Sequence, residues 1–109
     1  MVIALFEFLL RTDIDVEEWE QTFERMVSLA SEMPGFISLD GYDAPDGMRL
    51  AVVRFASEEA LEAWKNHPEH AEAQARGRDA FFDAYKVTVA SPVIREYESQ
   101  RAGAGDTAG

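Results

Sequence analysis

Residues Met1–Leu10 read MVIALFEFLL and run directly into Arg11-Thr12-Asp13. The alternation puts Phe6, Phe8 and Leu10 on one side of an extended chain and Ile3, Leu5 and Leu9 on the other. Successive side chains of a strand point to opposite faces, so both faces of this strand are apolar and both need cover. A single layer of helices covers one face only. The stretch is too short to span a bilayer, is broken by Glu7, and lacks a basic flank or a small-residue cleavage pattern. It reads as a strand, not as an anchor or a leader.

Outward from this strand, Asp15 opens a helix with Glu18 three residues later as its capping-box partner. Val16, Trp19, Phe23, Met26, Val27, Ala30 and Met33 mark its buried stripe, and Pro34-Gly35 ends it. Phe36–Asp43 and Arg49–Phe55 read as two strands of a hairpin turning through Ala44-Pro45-Asp46-Gly47. Ser57 caps a second helical region in which Ala60, Leu61 and Trp64 share a face. His67-Pro68 interrupts it, and a further helical piece runs from Pro68 to about Gly77. Phe82–Tyr97 reads as a long last strand, Tyr85, Val87 and Val89 alternating with Lys86, Thr88 and Ala90, with Pro92 marking an edge or a bend.

The element order β-α-β-β-α-β is the split βαβ of the α+β, ferredoxin-like class: a four-stranded antiparallel sheet with helices on one face. The domain spans residues 1–98. The remaining 99–109 (SQRAGAGDTAG) carry no large apolar residue and read as a disordered tail. Nothing in 109 residues is left to cover the second face of the sheet, so the expectation is a two-fold homodimer, sheet against sheet, with the last strand as an arm across the interface.

Hydrophobic residues make up 47% of the chain, enough for one packed core. Ten Lys and Arg against 21 Asp and Glu leave a charge of −11, which disfavours nucleic acid and anionic membrane as partners. With no cysteine, disulfides, thiolate metal sites and cysteine nucleophiles are excluded, in keeping with a cytoplasmic location.

Chemistry concentrates in Ala63-Trp64-Lys65-Asn66-His67-Pro68-Glu69-His70, with Gln74, Arg76-Gly77-Arg78 and Tyr85 following. Both histidines and one of the two tryptophans lie there. This segment, together with Met33-Pro34-Gly35-Phe36, Ala51-Val52-Val53-Arg54-Phe55 and Tyr85-Lys86-Val87-Thr88-Val89, resembles the antibiotic biosynthesis monooxygenase family of dimeric α+β barrels. The resemblance covers roughly residues 2–97. It implies a pocket between helices and sheet that takes a small apolar or aromatic molecule. It also implies oxidation of phenols by O2 without metal or flavin, or, in another branch, heme degradation.

In the cofactor-free reaction the substrate supplies the electrons, so the protein needs an apolar pocket, a proton acceptor and donors for the developing anion. His70 is the candidate acid/base because imidazole titrates near neutrality. Its ordinary alternative is a solvated residue in a first helical turn. Arg78 and Tyr85 are the anion-stabilising candidates, the alternatives being an ion pair and a core tyrosine. Trp64, Asn66, His67 and Gln74 complete the substrate-binding set. Here Trp64 aligns with the pocket tryptophan of the family or simply packs, Asn66 terminates a helix, and His67 caps one. Trp19 reads as core. His67 and His70 are spaced as a metal pair but no third ligand recurs on their face, so no metal is expected.

The chain also departs from the family. An asparagine one turn before the tryptophan in the phenol-oxidising branch is Ala60 here, and the heme-ligating histidine ten residues after it is Gln74. Phe6-Glu7-Phe8 stands where that second branch carries an asparagine. Heme is therefore disfavoured. The leading reading is a cofactor-independent monooxygenase, the alternative a noncatalytic binding or regulatory dimer, and the third a heme-binding or heme-degrading monooxygenase using His67 or His70 in an altered register. An open cavity beneath the helices would separate either from a merely structural fold.

Overall fold

Local capping fixes the helix starts. In the computed structural model, which describes residues 1–100, the Asp15 carboxylate accepts the Glu18 N–H at 3.1 Å and the Ser57 hydroxyl accepts the Ala60 N–H at 3.2 Å. The chain runs β1 (Val2–Leu10), α1 (Val16–Glu32), β2 (Phe36–Asp43), β3 (Arg49–Phe55), α2 (Glu58–Lys65), α3 (Pro68–Arg76), a π-helical turn at Gly77–Phe81, and β4 (Phe82–Ala90). The four strands form one antiparallel sheet in the order β2-β3-β1-β4, the ferredoxin-like arrangement. Gly35 follows α1 at φ 84°, a left-handed conformation that only glycine adopts without strain. Residues 101–109, most of the expected tail, lie outside the described residues.

Register assigns the faces. Ala4 pairs with Val53 and Val89, and Phe6 with Ala51 and Val87, all on the helix side. Ile3, Leu5 and Glu7, opposite Arg54, Val52 and Leu50, form the outer side, where Glu7 approaches Lys86 at 3.8 Å. Two clusters make the core. Val2, Leu29, Ala30, Phe55, Leu61 and Trp64 pack at one end, and Phe8, Trp19 and Phe81 at the other. Each of the larger aliphatic and aromatic side chains among them contributes about 1.5–3 kcal/mol by leaving water.

Three expectations are corrected. Val16 is 58% exposed, while Leu29 is buried in the stripe. The Glu18 carboxylate does not turn back to its own N-cap but grips Arg76 of α3 through two hydrogen bonds of 2.7 and 2.8 Å. The last strand ends at Ala90, not Tyr97. Ala90 pairs with Ile3, so only Val2 of β1 lies beyond it and little of the strand is left to extend the ladder. The chain then passes a cis Ser91–Pro92 bond, and the Val93 N–H reaches the Met1 carbonyl at 3.2 Å.

Candidate active site

The break between α2 and α3 builds the site. Asn66 closes α2, its N–H donating to the Glu62 carbonyl at 2.9 Å. His67 then caps α3, its Nδ1 accepting the Glu69 N–H at 3.2 Å, and Pro68 supplies the first helical turn. The change of direction lays His70 flat on Trp64, ring centroids 4.1 Å apart at 27°, and Trp64 in turn stacks on Phe55 at 5.8 Å.

The His70 Nδ1 lies 3.1 Å from the Trp64 carbonyl oxygen. A carbonyl only accepts, so the neutral ring carries its hydrogen on Nδ1 and keeps a lone pair on Nε2. Burial pushes the His70 pKa below the ordinary histidine value, the carbonyl bond opposing this and the nearby charges of His67 and Lys65 adding to it. The result is a neutral base beside an apolar cavity. The Trp64 indole N–H is itself buried and has no partner, a deficit that commonly costs about 1–3 kcal/mol.

The cavity has a volume of about 420 Å³ and lies between the helices and the sheet, within the range of small-molecule sites. Ala4, Phe6, Ala51, Val87 and Val89 form its floor, and Trp19, Thr22, Phe23 and Met26 of α1 one wall. The opposite wall belongs to α2, α3 and the π-helical turn after it: His70 and Gln74 lie four residues apart on α3, and Arg78 lies on the turn. That step keeps His70 and Gln74 on one face of α3, so base and amide stand side by side. Tyr85 lies across from them, 50% exposed, its ring 6.2 Å from Phe6 and 6.0 Å from Phe82. Among the described residues Arg78 makes no ion pair.

At the far end Trp19 meets Phe8, Phe23, Phe81 and Phe82 at centroid distances of 5.3–5.6 Å. Gly77 is buried against this group, and a Cβ there would overlap the Phe82 ring. Two bidentate pairs on the surface, Arg25 with Glu69 and Arg76 with Glu18, tie α1 to α3 over the cavity. Each pairing holds its glutamate carboxyl below the usual carboxylate range.

The structure thus brings Trp64, His70, Gln74, Arg78 and Tyr85 to one cavity and leaves Asn66 and His67 outside it, occupied as helix caps. Sequence reasoning missed that Trp19, Phe23 and Met26 form a wall, because periodicity reports burial and not what lies beyond the buried face. It also passed over Lys65 and Glu62, whose only signal was adjacency to Trp64. Ala60 is not on the lining. Its methyl packs against Gly35, where an added Cβ would sit 2.8 Å away. The ligand position of the heme-degrading branch does not fit heme: Gln74 offers an amide in place of an axial imidazole. Among the described residues no three His, Asp or Glu side chains converge as a metal site, and no helix is long and apolar enough to cross a membrane.

Comparison with known proteins adds the ancestry. The uncharacterized protein YqjZ of Bacillus subtilis (strain 168) is 39% identical over 70 residues, which are 64% of this chain and 61% of YqjZ. The chain therefore spans about three fifths of the length of the curated relative it matches. Rv0793 from Mycobacterium tuberculosis superposes with a TM-score of 0.75 at 22% identity, over 88% of this chain and 98% of that one. SnoaB, a cofactor-independent oxygenase from Streptomyces nogalater, superposes with a TM-score of 0.69 at 16% identity, over 87% and 97%. At such identities the structural likeness speaks for the fold. The profile of the antibiotic biosynthesis monooxygenase family matches residues 1–76, well over half of the sequence. On that match, joined to the β2-β3-β1-β4 sheet, the chain belongs to the antibiotic biosynthesis monooxygenase family.

Proposed function

We propose that this chain is a cofactor-independent monooxygenase acting on a small aromatic or quinol-type molecule. The family and the cavity support a monooxygenase or small-molecule-binding role at the coarser level. The observation that carries the finer reading is the neutral His70, its Nδ1 committed to the Trp64 carbonyl, on the wall of an otherwise apolar cavity.

His70 Nε2 takes the phenolic proton, and the electron-rich anion reduces O2. In an anthrone-type substrate the methylene carbon loses two hydrogens and gains one oxygen as a carbonyl. The second oxygen leaves as water with those hydrogens. The substrate supplies all four electrons, so no reductant is needed. Tyr85, Gln74 and Arg78 stabilise the anion, Trp64 shapes the wall, and the apolar lining admits O2 while limiting water.

The test is turnover of a panel of anthrones and hydroquinones with and without O2. Conversion that stops under argon and falls by about 10²–10⁴ in His70→Ala supports the reading. Turnover indifferent to either change overturns it. The absence of an amide at Ala60 favours a second reading, a binding protein without chemistry, which would show saturable ligand uptake and no oxygen consumption under the same conditions.

The dimer is part of the proposal. The outer face of the sheet exposes Tyr42 and Ile37 beside the half-buried Leu5 and Leu50, an apolar surface that a second copy would cover. A stable monomer in sedimentation at micromolar concentration would remove it.

A further inference from the structure

The helices over the sheet are not held alike. α1 buries Trp19, Leu29 and Ala30, and α2 buries Leu61 and Trp64, whereas α3 buries no residue. Pro68 and His70 aside, its side chains are alanine or polar, so little apolar area fastens it. Both of its ends are irregular. The chain breaks from α2 at Asn66-His67, and the π-helical turn Gly77–Phe81 follows. Breaks and π-turns of this kind are where helices change direction.

What joins α3 to α1 is a matched set of side chains. Glu18, Thr22 and Arg25 on α1, and Glu69, Ala73 and Arg76 on α3, recur at steps of four and three, which put each trio on one helix face. The trios meet antiparallel: Glu18 takes Arg76 and Arg25 takes Glu69, each through two hydrogen bonds of 2.7–2.8 Å. Between the pairs stand Thr22 and Ala73. These two, with Met26, line the cavity on the inside and a surface groove on the outside, so the wall there is one layer of side chains. The four charged side chains are 37–51% exposed. Exposed pairs shift an equilibrium by less than about fivefold each, enough to bias α3 toward contact and weak enough to let go.

We infer that α3 is a hinged flap, latched to α1 by these two pairs, which swings open along the Thr22–Ala73 seam to let ligand in and out. The inference rests on the reading of this cavity as the ligand site and is independent of the chemistry done there. Because α3 carries His70 and Gln74, its closure also returns base and amide to the ligand. The competing way in is the flank of β4, where Tyr85, Val87 and Val89 are about half exposed. Entry there bypasses the latch.

N-phenyl-1-naphthylamine, a neutral dye that brightens in apolar surroundings, follows exchange in stopped-flow mixing with the full-length protein. The cavity signal is the part removed by Val87→Trp, which places an indole on the half-exposed lining. Glu18→Gln/Arg25→Gln unpairs both bridges from the α1 side, keeps the net charge and leaves α3 untouched. Association and dissociation should both quicken by about three- to tenfold, with affinity changed by less than about twofold, because a gate acts on both directions alike. Amide hydrogen exchange should quicken in α3 and not in the sheet. The chain has no cysteine, so Arg25→Cys/Glu69→Cys can be bridged by a short bis-maleimide, which should slow dye exchange below that of the unmodified protein. The control Asp13→Asn/Arg49→Gln breaks two ion pairs elsewhere at constant net charge and should leave the rates alone. Rates indifferent to latch and bridge put the entrance at β4 and remove the gate. A quickening matched by the control, or α3 amides no faster in the latch variant, removes it equally. Such results leave the monooxygenase reading standing, whereas exchange that obeys the latch without oxygen consumption on any quinol keeps the gate and sinks that reading.

Discussion

The two tryptophans are equally buried, 7% exposed each, and both line the cavity, yet they keep different company. Trp19 is ringed by Phe8, Phe23, Phe81 and Phe82 in tilted and edge-on contacts, and this end of the cavity is held by shape alone. Trp64 carries a histidine on its face, lends that histidine its backbone carbonyl, and leaves its own N–H unpaired. A fold gains nothing from an orphaned donor and a desolvated base. Departures from good packing practice gather where chemistry is done, and here they gather at one end.

The contrast can be broken by substitution. Trp19→Ala should cost about 3–5 kcal/mol in chemical denaturation, the usual penalty for emptying a large aromatic site. A loss near zero would mean the aromatic end is not the structural anchor. Gly77→Ala should cost about 1–3 kcal/mol, because the new methyl must push the Phe82 ring aside. It should also weaken ligand binding through the wall that Phe82 forms. Trp64→Phe should change stability by less than about 1.5 kcal/mol. The area lost is offset by removing the unsatisfied donor, and a larger loss would show that the indole N–H has a partner after all.

The smallest effect sharpens the comparison through pH. His70 has its pKa lowered by burial, so it binds fewer protons folded than unfolded near its titration range. Its contribution to stability is present above the ordinary value of 6.5 and is lost as pH falls through the depressed one. Unfolding of the native protein and of His70→Gln between about pH 5 and pH 8 should diverge toward neutrality and converge in acid. The acid limb of any His70-dependent rate should have its midpoint below 6.5.

What could be read from the chain beforehand was whatever is decided locally. Asp15 and Ser57 cap as their positions demand, the hairpin turns at Ala44–Gly47 with the Ala44 N–H on the Met48 carbonyl at 2.8 Å, and His67 caps α3. What could not be read depends on partners distant in sequence. On sequence the last strand runs to Tyr97, but a strand exists only while its neighbour does, and beyond Ala90 only Val2 of β1 is left. Glu18 was three residues from its cap, yet Arg76 came closer in space. Lys65 has no periodic signature at all. Its place on the cavity lining follows only from how α2 packs over the sheet.

Gly35 and Ala60 set a limit on what an engineer could do with this scaffold. Restoring an amide at position 60 looks like the obvious graft to complete a phenol-oxidising site. In this chain that position backs onto the glycine turn after α1 rather than opening into the hollow. An asparagine installed there would crowd the Gly35 turn instead of facing a substrate oxygen. Retrofitting a donor is better begun from Gln74, which already looks into the space where the reactive oxygen would lie.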